Sequence, residues 1–250
     1  MKKSIRGAIF DLGSTLIRFD GDWPILLQNS LDLLIDQLQE DGLGFNPSDF
    51  RTAFERALEV YDLQRQSNQI ERSTTSLLQE TLNTFGHEEI SLDILGRGLK
   101  RFYSVSETHW RPMPALHTVL DDLHEEGRML GLVSNAGDVE NVQRLIDKVG
   151  IRDYFDPIII SAEIGIRKPD PRPFEMVLDR WQVKPESVVM IGDRLDADIL
   201  GAQDAGIHQI WLKPESEAEG SAVGQIIPEK IAEKLVDVPG LIREFETKGQ

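Results

Sequence analysis

Five short apolar runs punctuate the chain: Gly7 to Phe10, Met129 to Val133, Pro157 to Ile160, Val188 to Ile191 and Gln209 to Leu212. Each ends in a polar or glycine-bearing turn. Runs of this length, apolar throughout, predict strands buried on both faces. Between the later ones lie longer stretches with apolar residues three and four apart. Leu116, Val119, Leu120 and Leu123 form one such stripe, and Val142, Leu145, Ile146 and Val149 another. Pro171 to Trp181 and Asp196 to Ala205 read as two further helices. Strands alternating with helices predict an α/β fold with a doubly wound parallel sheet, whose ligands collect at the carboxyl ends of the strands.

Residues 20–110 break this rhythm. They hold no clear strand and read as about four amphipathic helices. The first runs from near Pro24 to Glu40, with Leu26, Leu27, Leu31, Leu34, Ile35 and Leu38 on one side, and Asp41-Gly42-Leu43-Gly44 stops it. The second opens at Asn46-Pro47, a capping residue followed by a proline suited to the first turn. Two more follow Ser73 and Ser91. An insert of about 90 residues is too long for a plain loop. The expected organisation is a core of residues 1–19 and 111–250, with an all-helical domain of residues 20–110 inserted after the first strand. The tail from Pro214 opens with a polar Glu/Ser/Gly segment, expected to be a loop, and residues 228–246 read as helix.

Charge and composition narrow the function. The 250 residues include 43 acidic and 27 basic ones, for a net charge of -16. Such a surface repels nucleic acid phosphates and anionic membranes, so neither is an expected partner. The absence of cysteine rules out disulfides, thiolate metal sites and cysteine nucleophiles. It also suits a reducing cytoplasm, the expected location. The basic start meets Asp11 after only a few apolar residues, so it reads as a strand and not as an export signal. No apolar run is long enough to span a bilayer, and no Gly-x-x-x-x-Gly-Lys loop is present.

Polar residues gather where the strands end. Asp11 closes the first strand, in Phe10-Asp11-Leu12-Gly13-Ser14-Thr15. A carboxylate there can meet a ligand, although Asp-x-Gly also makes ordinary turns. The second strand runs into Ser134-Asn135-Ala136-Gly137-Asp138 and then a helix, an arrangement that either caps the helix or holds an anion. Lys168 stands before Pro169-Asp170-Pro171, as a surface lysine or as a fixed positive charge. The fourth strand ends Gly192-Asp193-Arg194-Leu195-Asp196-Ala197-Asp198. Asp193 and Asp198 suit either helix capping or a hard, oxygen-preferring cation such as Mg²⁺.

In this order the four segments resemble the haloacid dehalogenase-like hydrolase superfamily. Its motifs run Asp-x-x-x-Thr, Ser or Thr, Lys, and Gly-Asp-x-x-x-x-Asp. The likeness spans residues 6–20 and about 111–212, and the helical insert sits where that superfamily places its C1-type cap. The resemblance implies a hydrolase, most often a phosphatase of a small phosphorylated metabolite. Asp11 would be the nucleophile that forms an aspartyl-phosphate. Asp11, the carbonyl of Gly13, Asp193 and Asp198 would hold Mg²⁺. Ser134, Asn135 and Lys168 would bind the phosphoryl group, and Lys168 would also keep Asp11 ionised.

One position departs from the pattern. Phosphatases of the superfamily mostly carry a second Asp two residues after the nucleophile, as general acid and base, and here that residue is Gly13. Loss of such a group costs about 10²–10⁴ in rate. Three readings stay open. One is a working phosphatase lacking this acid, with His109 or Asp20 as candidate substitutes. Another is a slow phosphate-binding or regulatory homologue. The last is a phosphonatase- or dehalogenase-type hydrolase, for which Lys100 is the only lysine between residues 20 and 110. Trp23 is expected to pack in the core of the helical insert.

Overall fold

The computed structural model describes residues 4–65, 68–214 and 226–247. Six strands form one fully parallel sheet in the order β5-β4-β1-β6-β7-β8. They are β1 (Gly7–Phe10), β4 (Met129–Ser134), β5 (Ile158–Ile160), β6 (Val188–Gly192), β7 (His208–Leu212) and β8 (Lys230–Ala232). The five strands read from the sequence are all present.

Side chains on a strand alternate between faces, and here each face meets its own helices. Ala8, Phe10, Leu130, Leu132, Val189 and Ile191 pack under the stripes of α5 (Leu116–Glu125), α6 (Val139–Val149) and α10 (Val238–Thr247). Ile9, Val133, Val188 and Met190 pack with Phe174, Val177 and Ala202. Those partners lie on α8 (Arg172–Trp181) and α9 (Leu200–Asp204). A short helix, α7 (Ser161–Ile164), leaves β5. The Trp181 ring lies against Gly7 and Gly131, where any Cβ would come within 3.0 Å of it.

Four helices fill the expected insert: α1 (Trp23–Glu40), α2 (Pro47–Arg65), α3 (Thr74–Asn83) and α4 (Leu92–Glu107). Local chemistry starts them where the sequence suggested. Asn46 Oδ1 accepts from the N–H groups of Ser48 and Asp49, at 2.9 and 3.2 Å. Ser73 and Ser91 accept from Ser76 and Ile94 at 3.1 and 3.3 Å. Each such cap contributes about 1 kcal/mol. The four helices bury a separate apolar cluster that includes Leu34, Leu38, Phe50, Phe54, Leu78 and Phe102. Gly98 lets α4 approach Leu34 and Leu38 of α1.

The two passages between the helices and the sheet run side by side. They form an antiparallel pair, β2 (Ile17–Phe19) with β3 (Trp110–Pro112), which hydrophobic periodicity had not revealed. Runs of three residues are too short to show a period. The tail also differs from expectation. Residues 228–246 are not one helix: Lys230–Ala232 add strand β8 to the sheet, and α10 starts only at Val238. The edge of the sheet offers this segment unpaired backbone groups, an interaction that local sequence cannot show. Most of the expected loop after Pro214 lies outside the described residues. Trp23 is 49% exposed, packed edge-on against Phe19 and not in the helical core. Among the described residues, no helix is long and apolar enough to cross a membrane.

Candidate active site

The chain winds outward from β1 in both directions, through β4 and β5 on one side and β6, β7 and β8 on the other. A crevice opens beyond the carboxyl ends of the strands at such a reversal. Phe10 is level with both Leu132 and Ile191. Asp11, Ser134 and Asp193 therefore emerge at three neighbouring strand tips. Asp11 N–H still donates to Ile191 O at 2.9 Å, so the ladder holds the backbone beneath its side chain. After Gly192 the chain forms a π-helical turn, Leu195–Ile199, that carries Asp198 inward to 1% exposure. A Cβ on Gly192 would lie 2.3 Å from the Asp198 carboxyl. Only glycine lets that carboxylate sit so close to the strand.

Lys168 enters from the loop after α7. Asn135 fixes its backbone twice: Asn135 Oδ1 accepts from Lys168 N, and Asn135 Nδ2 donates to Lys168 O, both at 2.9 Å. Lys168 Nζ donates to Asp11 Oδ1 and to Val133 O, each at 2.6 Å. It also pairs with Asp198 Oδ1 at 2.6 Å. Trp211 Nε1 donates to Asp193 O at 2.7 Å and fixes the third strand tip. Thr15 Oγ1 reaches Asp193 Oδ1 at only 3.5 Å.

Three carboxylates share this space with one ammonium group. Oxygens of Asp11, Asp193 and Asp198 lie within 4.8 Å of one another. Burial first, then the neighbouring carboxylates Asp11 and Asp198, push Asp193 up to about 7. Burial raises Asp11 to about 6, with Lys168 pulling the other way and Asp198 adding to the rise. Burial opposes the charge on Lys168, yet Asp11 and Asp198 outweigh it and raise its pKa. The residual negative charge and the all-oxygen donor set fit a hard divalent cation. They do not suit a soft one, because no cysteine or histidine joins the cluster.

Asp11, Gly13, Ser134, Asn135, Lys168, Asp193 and Asp198 all line one cavity of about 270 Å³. The structure thus brings these seven residues to one cleft, with two changes of emphasis. The Asn135 side chain is spent on Lys168, so it sets the position of the lysine. The Ala136 N–H, an amide beside Ser134, donates to Ser161 Oγ at 2.9 Å and is already engaged. His109 and Asp20 face each other at 3.5 Å and neither lines the cavity. Lys100 is exposed and away from it.

Other lining residues escaped the sequence reading: Arg65, Trp110, Asn141, Arg167 and Arg194. Trp110 stands 3.6 Å from where a Cβ on Gly13 would be. Behind the cleft, buried Glu71 accepts from Tyr61 Oη and, at 2.8 Å, from Ser161 Oγ. The segment carrying it also bonds backbone to backbone with the sheet loops. Glu71 N donates to Gly165 O at 3.1 Å, Arg167 N to Gln69 O at 3.0 Å, and Thr74 N to Gly137 O at 2.7 Å. No local signal marks a glutamate between two helices as a buried anchor.

Residues 48–212 match the family model described as haloacid dehalogenase-like hydrolase. A glyceraldehyde 3-phosphate phosphatase from Methanothermobacter thermautotrophicus is 32% identical, over 86% of this chain and 89% of that one. A phosphoserine phosphatase from Thermus thermophilus is 36% identical over 40% of this chain and 44% of that one. Among solved structures, a 2-haloacid dehalogenase from Pseudomonas syringae superposes with a TM-score of 0.67 at 24% identity, covering 96% of this chain and 99% of that one. With its parallel sheet, helical insert and matched motif region, the chain belongs to the haloacid dehalogenase-like hydrolase family.

Proposed function

We propose that the protein is a Mg²⁺-dependent phosphatase of a small phosphorylated metabolite, working through an aspartyl-phosphate on Asp11, with residues 20–110 as its cap. The observation that carries this reading is the convergence of Asp11, Asp193 and Asp198 around a lysine that bonds Asp11 directly. The relatives named as phosphatases support a phosphate ester as substrate.

The roles follow from charge. A carboxylate approaching a phosphate dianion meets repulsion, and the Lys168 ammonium at 2.6 Å offsets part of it. Lys168 also favours the ionised form of Asp11, the form that attacks. Asp11, Asp193, Asp198 and the Gly13 carbonyl would hold Mg²⁺. When bound, Mg²⁺ would neutralise charge developing on the phosphoryl oxygens and lower the repulsion further. Asp11 then forms its bond to phosphorus as the bond from phosphorus to the leaving oxygen breaks. Among the described lining residues, the three aspartates are the only carboxyl or imidazole groups. The leaving oxygen therefore departs without a dedicated proton donor, which favours acyl and aryl phosphates over alkyl ones. Water later cleaves the acyl phosphate and restores Asp11. The three-carboxylate cluster disfavours carbon–halogen cleavage, and exposed Lys100 gives no support to a Schiff base.

Release of phosphate from acetyl phosphate and p-nitrophenyl phosphate tests the reading directly. Activity in Mg²⁺ and its loss on adding EDTA are expected. Turnover indifferent to EDTA would remove the metal from the mechanism.

Stability offers a second check. Asp11 and Asp193 hold protons in the folded, metal-free protein up to about pH 6 and 7, whereas both start from 3.8 in the absence of the fold. The stabilisation from that extra protonation is full below pH 3.8 and is lost as pH rises through 6 and 7. The cation needs the same groups deprotonated, so its benefit runs the other way. Saturating Mg²⁺ is expected to raise the melting temperature by about 5 °C or more at pH 8 and far less at pH 5.5. Equal shifts at the two pH values would argue against binding at these carboxylates.

A further inference from the structure

The surface is strongly acidic, yet one side of the cleft is basic. A second cavity of about 500 Å³ adjoins the first, and the two share Arg65, Arg167, Lys168 and Arg194. Arg65 ends α2, Arg167 precedes Lys168, and Arg194 follows Asp193. Arg65 and Arg194 each have a surface carboxylate, Asp62 and Asp196. Arg167 differs from both. It is 7% exposed, and among the described residues its Nη1 has no hydrogen-bond partner. The nearest carboxylate, Glu71 Oε2, is 3.7 Å away, beyond hydrogen-bond reach, and both Glu71 oxygens already accept from Tyr61 and Ser161. A buried guanidinium nitrogen left without an acceptor is costly. Arg167 lines both cavities, and the planar fork of arginine suits a carboxylate or a phosphate held there.

We propose that Arg167, flanked by Arg65 and Arg194, forms a subsite for a second anionic group on the substrate, a carboxylate or a second phosphate. This rests on the phosphatase reading and specifies its substrate class. The phosphoryl group sits at Asp11 and Lys168, and the second anion reaches into the arginine-lined cavity next to it. Lys168 lies on the boundary between the two. A sugar or polyol monophosphate without a second charge would leave the arginine-lined cavity without an anion.

The test compares glycerol 3-phosphate, 3-phosphoglycerate and 1,3-propanediol bisphosphate, which differ in the group beyond the ester, with p-nitrophenyl phosphate as a monoanchored control. The wild type is expected to favour one anionic substrate over glycerol 3-phosphate by about tenfold or more in kcat/KM. Which one wins distinguishes carboxylate from phosphate. Arg167→Met is expected to raise KM for that substrate by about 10–100-fold more than it raises KM for glycerol 3-phosphate or p-nitrophenyl phosphate. Half-exposed Arg65→Met, which does not disturb the buried interior, should move the same substrate in the same direction. Equal losses on all substrates in both variants, or wild-type indifference to the second charge, would overturn the subsite. Failure to hydrolyse p-nitrophenyl phosphate would instead sink the phosphatase reading. In that case titration calorimetry of 3-phosphoglycerate against glycerol 3-phosphate, in wild type and Arg167→Met, still decides the subsite, and equal affinities would refute it.

Discussion

Asp11→Asn is expected to lower phosphate release from acetyl phosphate by about 10⁴-fold or more, because an amide oxygen is a poor nucleophile at phosphorus. The change is nearly isosteric. Lys168 keeps Val133 O and Asp198 as neighbours, so the loss should not come from collapse of the site. Rapid quench with labelled acetyl phosphate should trap label on the wild type and none on the variant. A variant retaining a tenth of wild-type activity would rule out Asp11 as the attacking group. A labelled wild type that never turns over would point to the regulatory alternative.

Gly13→Asp is expected to work in the opposite direction. A carboxylic acid two residues after Asp11 would supply the proton donor that the cleft lacks. The gain for alkyl phosphates such as glycerol 3-phosphate should reach about 10²-fold or more, with much less change for acetyl phosphate. The backbone permits the substitution. Gly13 does not have a positive φ, and a Cβ there would make ordinary contact with Trp110 at 3.6 Å. The strained residue of this loop is its neighbour Ser14, at φ 59°. Wild-type rates should fall steeply as the leaving group becomes more basic, and the variant should flatten that dependence. A folded variant with unchanged leaving-group sensitivity would show that the missing acid is not what limits alkyl phosphates.

The sheet and the principal site residues were legible in the sequence for a physical reason. Strands buried on both faces must be apolar throughout, so β1, β4 and β6 stand out and their polar ends become visible at Asp11, Ser134 and Asp193. Helix starts at Asn46, Ser73 and Ser91 were legible because caps act over three residues. Strand β8 was not, because an edge strand of three residues carries too few positions to show alternation. Neither was Asn135 as the clamp on Lys168, since that depends on two loops meeting across 33 residues of chain. Arg167 was hidden too, because its lack of an acceptor exists only once Tyr61 and Ser161 occupy Glu71. The residues that position the site or tune its choice of ligand were thus the ones hidden from local reading.

The backbone bridges from residues 69–74 to the sheet loops have a kinetic consequence. On one side the helices connect through the paired strands β2 and β3, and on the other they are fastened by the amides of Glu71, Thr74 and Arg167. Those three protons are shielded only while the fastening holds. In deuterated solvent, at a pH high enough for exchange to outpace reclosing, they should exchange together, at the rate with which the helices part from the sheet. Their common exchange rate then serves as a clock for how often the cleft admits a molecule from outside.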